Sequence, residues 1–153
     1  MGAAFFYHLT DGPAEELLPQ LLKLAGKQGW RVEIRGRAAR AMDRLDTDLW
    51  RMGSPESFLP HGRAGGAQDA AQPILLTVEG EAAPGLPCVI CLDGAQAAPD
   101  EVRGAERVCI LFDGFDQEAV QAAREQWKRL TKAGCSAQYW AQENGRWTKK
   151  AEG

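Results

Sequence analysis

The fold is decided by residues 107–134, which read RVCILFDGFDQEAVQAAREQWKRLTKAG. The run from Val108 to Phe112 is continuous, apolar and of strand length, which is typical of a parallel strand covered on both faces. Asp113 and Gly114 then supply a turn. A helix is predicted from Asp116 to Ala133, with aspartate at the N-cap, cations in its last turn and glycine just beyond. The stretch therefore predicts the strand-turn-helix unit of an α/β sheet.

The same alternation extends towards the N-terminus. Ala3 to Leu9 predicts a strand, and leucines at helical spacing follow it. Trp30 to Arg35 alternates apolar and charged residues, so we predict a strand with one buried face. Pro73 to Val78 and Cys88 to Leu92 are further apolar runs of strand length. We predict one α/β domain over residues 1–150, with a mainly parallel sheet and helices on both faces.

Three further segments complete the prediction. Apolar residues recur with helical period after Gly36 and predict a second helix. Residues 52–73 turn to Gly, Pro, Ser and Ala and predict a long loop. Near the C-terminus, Asn144-Gly145 between aromatic residues predicts a hairpin of two strands.

Composition narrows the functional classes. The chain has 153 residues, a formal charge of −3, 44% hydrophobic residues and 25% charged residues, values that exclude a fibrous or disordered protein. The longest apolar runs are far shorter than the ~20 residues that span a bilayer. No secretory signal is recognisable, so we expect a cytoplasmic protein with no membrane partner.

Few residues suggest a metal or cofactor. Cys88 and Cys91 have CxxC spacing, but residues three apart in a strand face opposite ways, so we expect two core thiols. Nothing fixes a ligand set around His8 or His61. The turn from Leu9 to Pro13 has neither the dinucleotide glycines nor a phosphate-binding lysine. We therefore expect no metal and no cofactor.

Two aspartates leave an enzymatic alternative open. Asp93 and Asp113 each follow an apolar strand and precede a glycine, a place where many α/β enzymes carry acidic catalytic residues. Both are equally good turn residues. The alternative function is a small α/β hydrolase or transferase that uses Asp93 or Asp113.

Charge is distributed unevenly along the chain. Residues 121–150 contain seven cations and two anions, a local charge of +5 in an acidic protein. This indicates an anionic partner, although a basic helix end that complements its own dipole explains part of it. The cations are Arg124, Lys128, Arg129, Lys132, Arg146, Lys149 and Lys150.

A helical wheel gives this charge a location. Trp127 falls at the edge of the inward face, and Arg124 and Lys128 lie on the outward flank beside it. A half-exposed indole next to two cations suits a ligand with an apolar ring and a carboxylate. The opposing interpretation, a core tryptophan beside solvated cations, fits the pattern equally well.

Five short motifs occur in order along nearly the whole chain. They are Phe5-Phe6-Tyr7-His8-Leu9, Leu45-Asp46-x-x-Leu49-Trp50, Ser57-Phe58-Leu59-Pro60-His61-Gly62, Arg107-Val108-Cys109-x-x-Phe112-Asp113 and Ala123-Arg124-x-x-Trp127-Lys128. Together these motifs resemble the chi subunit of bacterial DNA polymerase III holoenzyme. The resemblance implies a non-catalytic clamp-loader accessory protein with a Rossmann-like fold and no working nucleotide site.

The resemblance also implies partners. Chi subunits pair with the psi subunit and bind the acidic C-terminal tail of single-stranded-DNA-binding protein, which ends in Pro-Phe. Arg124, Trp127 and Lys128 match the tail-binding helix, and Tyr139 is a further candidate for the same pocket. Val120 stands where other members have a lysine, so one cationic contact is expected to be missing.

Trp50 and Phe58 resemble residues that we assign to the psi interface or another protein-binding surface, and packing under the loop is the alternative. DNA is expected to be bound only indirectly, because phosphate contacts need a broad basic surface. A direct single-strand binder that stacks bases on Trp127, Tyr139 and Trp147 is the remaining alternative.

Overall fold

The structure is a computed structural model that describes residues 3–10, 14–38, 40–45, 61–63, 74–78, 86–92, 94–143 and 146–152. The strands among these residues are β1 (Ala3–Leu9), β2 (Val32–Gly36), β3 (His61–Arg63), β4 (Ile74–Val78), β5 (Cys88–Cys91), β6 (Arg107–Asp113), β7 (Ser136–Glu143) and β8 (Arg146–Glu152). The helices are α1 (Ala14–Lys27), α2 (residues 40–45), α3 (Pro99–Gly104) and α4 (Gln117–Lys132).

The strands form one sheet in the order β3-β4-β2-β5-β6-β1-β7-β8. All neighbours pair in parallel except β7 and β8, which form an antiparallel hairpin. One core layer joins Leu18 of α1 and Met42 of α2 to Ile34 of the sheet. The second joins Leu130 of α4 to Phe6 on the opposite face. Helices therefore cover both faces, as the sequence predicts for a Rossmann-like α/β fold.

The sheet corrects the prediction for β2. Alternating charges indicate a strand with one exposed face, yet all five residues of β2 are buried. The exposed fractions of Glu33 and Arg35 are 1% and 6%. Arg35 Nε donates to Glu33 Oε2 at 2.8 Å, and its two terminal nitrogens donate to Glu101 at 3.0 and 2.5 Å. A buried charge is tolerated when it is paired and hydrogen-bonded. Here the ion pairs of Arg35 with Glu33 and Glu101 replace contacts with water.

Two further elements were missed. The three-residue strand β3 lies inside the predicted loop 52–73 and pairs with β4, so residues 61–63 correct that prediction. The remaining residues of 52–73 lie outside those described. Helix α3 was not predicted because only Val102 of its six residues is buried, which leaves no apolar period to detect.

The cysteines behave as core residues. Cys88 and Cys91 belong to different core layers, which confirms that their thiols diverge. All four cysteines are buried and free of disulfides. None of the helices in the described part of the chain combines the length and the apolar character needed to cross a membrane.

Candidate functional site

Helix α4 carries the candidate site, and its ends follow from the sequence. The Asp116 side chain accepts hydrogen bonds from the Glu118 and Ala119 amides at 3.0 and 3.3 Å, which confirms the predicted N-cap. Gly134 ends the helix with φ +87°, the left-handed conformation that glycine adopts without a steric cost. The helix therefore begins and ends where the sequence indicates.

Two side chains fix α4 against the loop between β5 and α3. Buried Gln126 accepts a hydrogen bond from the Ala97 amide at 2.9 Å. Arg129 donates to Gln96 Oε1 at 2.6 Å. Arg129 is thus engaged with the loop, and Lys128 and Lys132 are exposed cations on the same helix.

Trp127 is the central aromatic residue of the site. Its side chain is half-buried, which agrees with its predicted place at the edge of the inward face. Its ring meets Phe6 edge-on at 5.4 Å and Tyr139 at 6.2 Å between centroids. Val120, two turns earlier on α4, packs against the same core layer. The result is a partly exposed apolar surface supported by residues of β1 and β7.

His8 and Phe112 extend this cluster at the carboxyl ends of β1 and β6. The His8 ring lies 5.2 Å from Phe112 and 5.9 Å from Tyr139, measured between centroids. His8 Nδ1 is 2.6 Å from the Tyr139 hydroxyl, a hydrogen-bond distance. The sequence interpretation placed His8 at a strand end only. The alternation of side chains along β1 could have predicted this position, because it puts His8 on the same face of the sheet as Phe6.

Arg124 supplies the positive charge of the site. It is exposed on α4, one turn after Val120 and one turn before Lys128. Burial lowers the pKa of His8, and the Arg124 guanidinium lowers it further. Burial raises the pKa of Tyr139, while Arg124 opposes that shift. The charge of Arg124 thus affects both polar groups of the aromatic cluster, and Arg124 lies one helical turn before Trp127 on α4.

This arrangement can accept an apolar ring together with an anionic group. An indole face and an aliphatic side chain offer packing surface, and a guanidinium can grip a carboxylate through paired hydrogen bonds. The structure brings Arg124, Trp127 and Tyr139 together, with Lys128 one turn along the helix. Trp50 and Phe58 lie outside the described residues.

Only one of the two aspartates of the enzymatic alternative lies among the described residues. Asp113 is exposed, and its Oδ1 accepts a hydrogen bond from the Phe115 amide at 2.9 Å, which is a turn geometry. Asp93 lies outside the described residues. Among the residues that the structure describes, no group of three or more His, Cys, Asp or Glu side chains is placed to hold a metal ion.

Comparison with known families identifies the family of this chain. The model of the family described as DNA polymerase III chi subunit, HolC, matches residues 1–138. The chain belongs to the chi subunit family. Its members are accessory subunits of DNA replication, so the resemblance seen in the sequence is confirmed. The match covers all of α4 and ends one residue before Tyr139. A comparison with curated proteins found no match.

Proposed function

We propose that this chi subunit connects the DNA polymerase III clamp loader to single-stranded-DNA-binding protein by capturing that protein's acidic C-terminal tail. The observation that carries the proposal is the half-buried Trp127 beside the exposed Arg124 on α4. Capture of a C-terminal carboxylate is a recurrent mode of peptide recognition. DNA is reached through the tail, and no nucleotide or metal is required.

In this proposal each part of the tail meets a different group. The terminal phenylalanine ring packs on Trp127 and Val120, and Arg124 binds the free carboxylate. Lys128 and Lys132 attract the acidic residues that precede the terminus. Because these cations are exposed, their attraction is screened by salt, so affinity falls as ionic strength rises.

Calorimetric titration with an acidic peptide that ends in Pro-Phe tests the proposal. We expect Arg124→Ala to weaken binding by roughly 10- to 100-fold, since a hydrogen bond to a charged group is worth ~1.5–3 kcal/mol. Arg44→Ala is the matched control, because it removes an equal charge from an exposed position on α2, which packs on the opposite face of the sheet. A peptide without the last phenylalanine should bind weakly to every variant.

Equal affinity of Arg124→Ala and the unmodified protein would refute carboxylate capture at this helix. Binding of an oligonucleotide as tightly as the peptide, with loss in Trp127→Ala, would favour the direct single-strand binder instead.

The link to the clamp loader rests on family membership. We propose that the chain pairs with a psi subunit and that Trp50 and Phe58 belong to that interface or to another protein-binding surface. Co-expression followed by size-exclusion chromatography tests the pairing, and an unchanged complex in both Trp50→Ala and Phe58→Ala would remove the two residues from the interface.

A further inference from the structure

Beneath the proposed tail site lies a hydrogen bond whose direction depends on protonation. His8 Nδ1 and the Tyr139 hydroxyl are 2.6 Å apart, and both groups are partly buried. A neutral imidazole nitrogen either donates or accepts, whereas a charged imidazolium donates from both nitrogens. The protonation state of His8 therefore decides where the Tyr139 hydroxyl proton points.

The other edge of the His8 ring faces Gly114. Gly114 lies so close to this edge that a Cβ added there would overlap His8 Nε2 and Cδ2. A hydrogen bond with the Gly114 backbone raises the pKa of His8, which is the effect of an acceptor. We therefore assign the proton of neutral His8 to Nε2, which makes Nδ1 the acceptor for the Tyr139 hydroxyl. In that state the hydroxyl proton is directed away from the site.

We propose that His8 is a positioning residue for the tail carboxylate. When His8 takes up a second proton, its Nδ1 donates to the Tyr139 oxygen, and the Tyr139 hydroxyl proton becomes available to the carboxylate beside Arg124. The inference rests on the proposed function, because it assigns the Tyr139 hydroxyl a role in binding the same tail. It adds a pH dependence that passes through the Tyr139 hydroxyl.

The charges around His8 determine the sign of this dependence. Arg124 on α4 disfavours the protonated ring, and Asp113 at the end of β6 favours it. From β7 the ring meets Tyr139, and from the body of β6 it meets uncharged Phe112. A carboxylate bound at Arg124 offsets the repulsion by that cation. Binding therefore raises the pKa of His8 and takes up a proton.

Linkage then predicts tighter binding as the pH falls. The affinity should rise as the pH falls through the higher pKa of the bound state and level off below the lower pKa of the free protein. One proton is involved, so the slope reaches at most about tenfold per pH unit. Tail carboxyl groups titrate near pH 4, which keeps the peptide fully charged over the useful range.

The test is titration of the acidic Pro-Phe peptide at constant ionic strength between about pH 8 and pH 5.5, in buffers of different ionisation enthalpy. We expect affinity to increase at least about threefold towards low pH, with net proton uptake. Tyr139→Phe keeps the ring and removes the hydroxyl, so its affinity should depend on pH less steeply than that of the unmodified protein, with only the electrostatic effect through Arg124 remaining. His8→Gln should lose the dependence, whereas His61→Gln on β3, at the far edge of the sheet, should retain it.

The outcomes separate the two proposals. A slope in Tyr139→Phe equal to that of the unmodified protein would overturn the positioning role. Binding that needs Arg124 but does not change with pH would overturn it as well, while leaving tail capture intact. Absence of peptide binding at every pH would overturn both. If His8→Gln does not fold, the comparison of Tyr139→Phe with the unmodified protein decides the matter alone.

Discussion

Removal of the Arg35 guanidinium should destabilise the fold more than the loss of any surface charge. The guanidinium donates five hydrogen bonds, which are accepted by Glu33, Glu101 and the Gln96 carbonyl oxygen. The Arg35 side chain is 8% exposed and that of Glu33 only 2%. In Arg35→Met, Glu33 keeps the Thr77 hydroxyl, which donates to it at 2.7 Å, and loses its counter-ion.

The size of the stability loss is set by the Glu33 carboxylate, which stays buried without its counter-ion. An uncompensated buried charge costs ~3–5 kcal/mol, and Glu101, with a side chain 28% exposed, adds less because water reaches it. We expect the free energy of unfolding to fall by about 3–5 kcal/mol at neutral pH. Glu33→Gln added to Arg35→Met removes the unpaired buried charge. The double variant should therefore regain at least about half of the lost free energy of unfolding.

Urea denaturation followed by circular dichroism measures these values. Arg103→Met is the matched control: its pair with Asp100 spans 3.5 Å between side chains that are 49% and 98% exposed, and exposed pairs contribute ~0–1 kcal/mol. A loss below about 1 kcal/mol, or a loss equal to that of the control, would refute the argument.

Two smaller changes test the ends of β6 and α4. Asp116→Ala removes the cap of α4 and should cost ~0.5–2 kcal/mol in urea denaturation, whereas Asp116→Asn keeps an accepting oxygen and should cost much less; equal losses would contradict the capping role. Gly114→Ala places a methyl group against the His8 ring and 2.9 Å from the Leu9 carbonyl oxygen, so we expect a loss of ~1–3 kcal/mol and weaker peptide binding. Gly104→Ala, with open space around it, is the control and should be neutral or slightly stabilising. Tail binding by Gly114→Ala as tight as by the unmodified protein would show that the His8 position is unimportant.

The predictable parts of the molecule are those in which local sequence and burial agree. Strands β4, β5 and β6 consist mainly of buried apolar residues because both of their faces are covered, and α4 has a cap, an amphipathic period and a glycine just beyond its end. The position of Trp127 followed from the same period. Arg124 and Lys128 could be placed together on one flank of α4 without tertiary information, since residues four apart on a helix are neighbours.

What sequence reasoning missed depends on contacts between distant residues. Glu33 and Arg35 look like the solvent face of a strand, and only Thr77 and Glu101 turn that face into a buried polar network. His8 and Tyr139 are 131 positions apart, so nothing in the local pattern joins them. Polar pairs of this kind follow from sheet order, which periodicity does not specify.

Sheet order also explains why the proposed site lies where it does. The adjacency of β6, β1 and β7 brings Phe112, His8 and Tyr139 under α4, so the aromatic support comes from three strands and the positive charge from one helix. Gln126 and Arg129 fix α4 to the loop before α3, and Glu101 of α3 is held by Arg35. Arg35 also donates to the Gln96 carbonyl oxygen, so hydrogen bonds through Gln96 connect β2 to the helix that carries Arg124. Loss of the buried ion pair should therefore weaken tail binding only as far as it displaces α4, whereas loss of Arg124 should weaken binding in a fully folded protein.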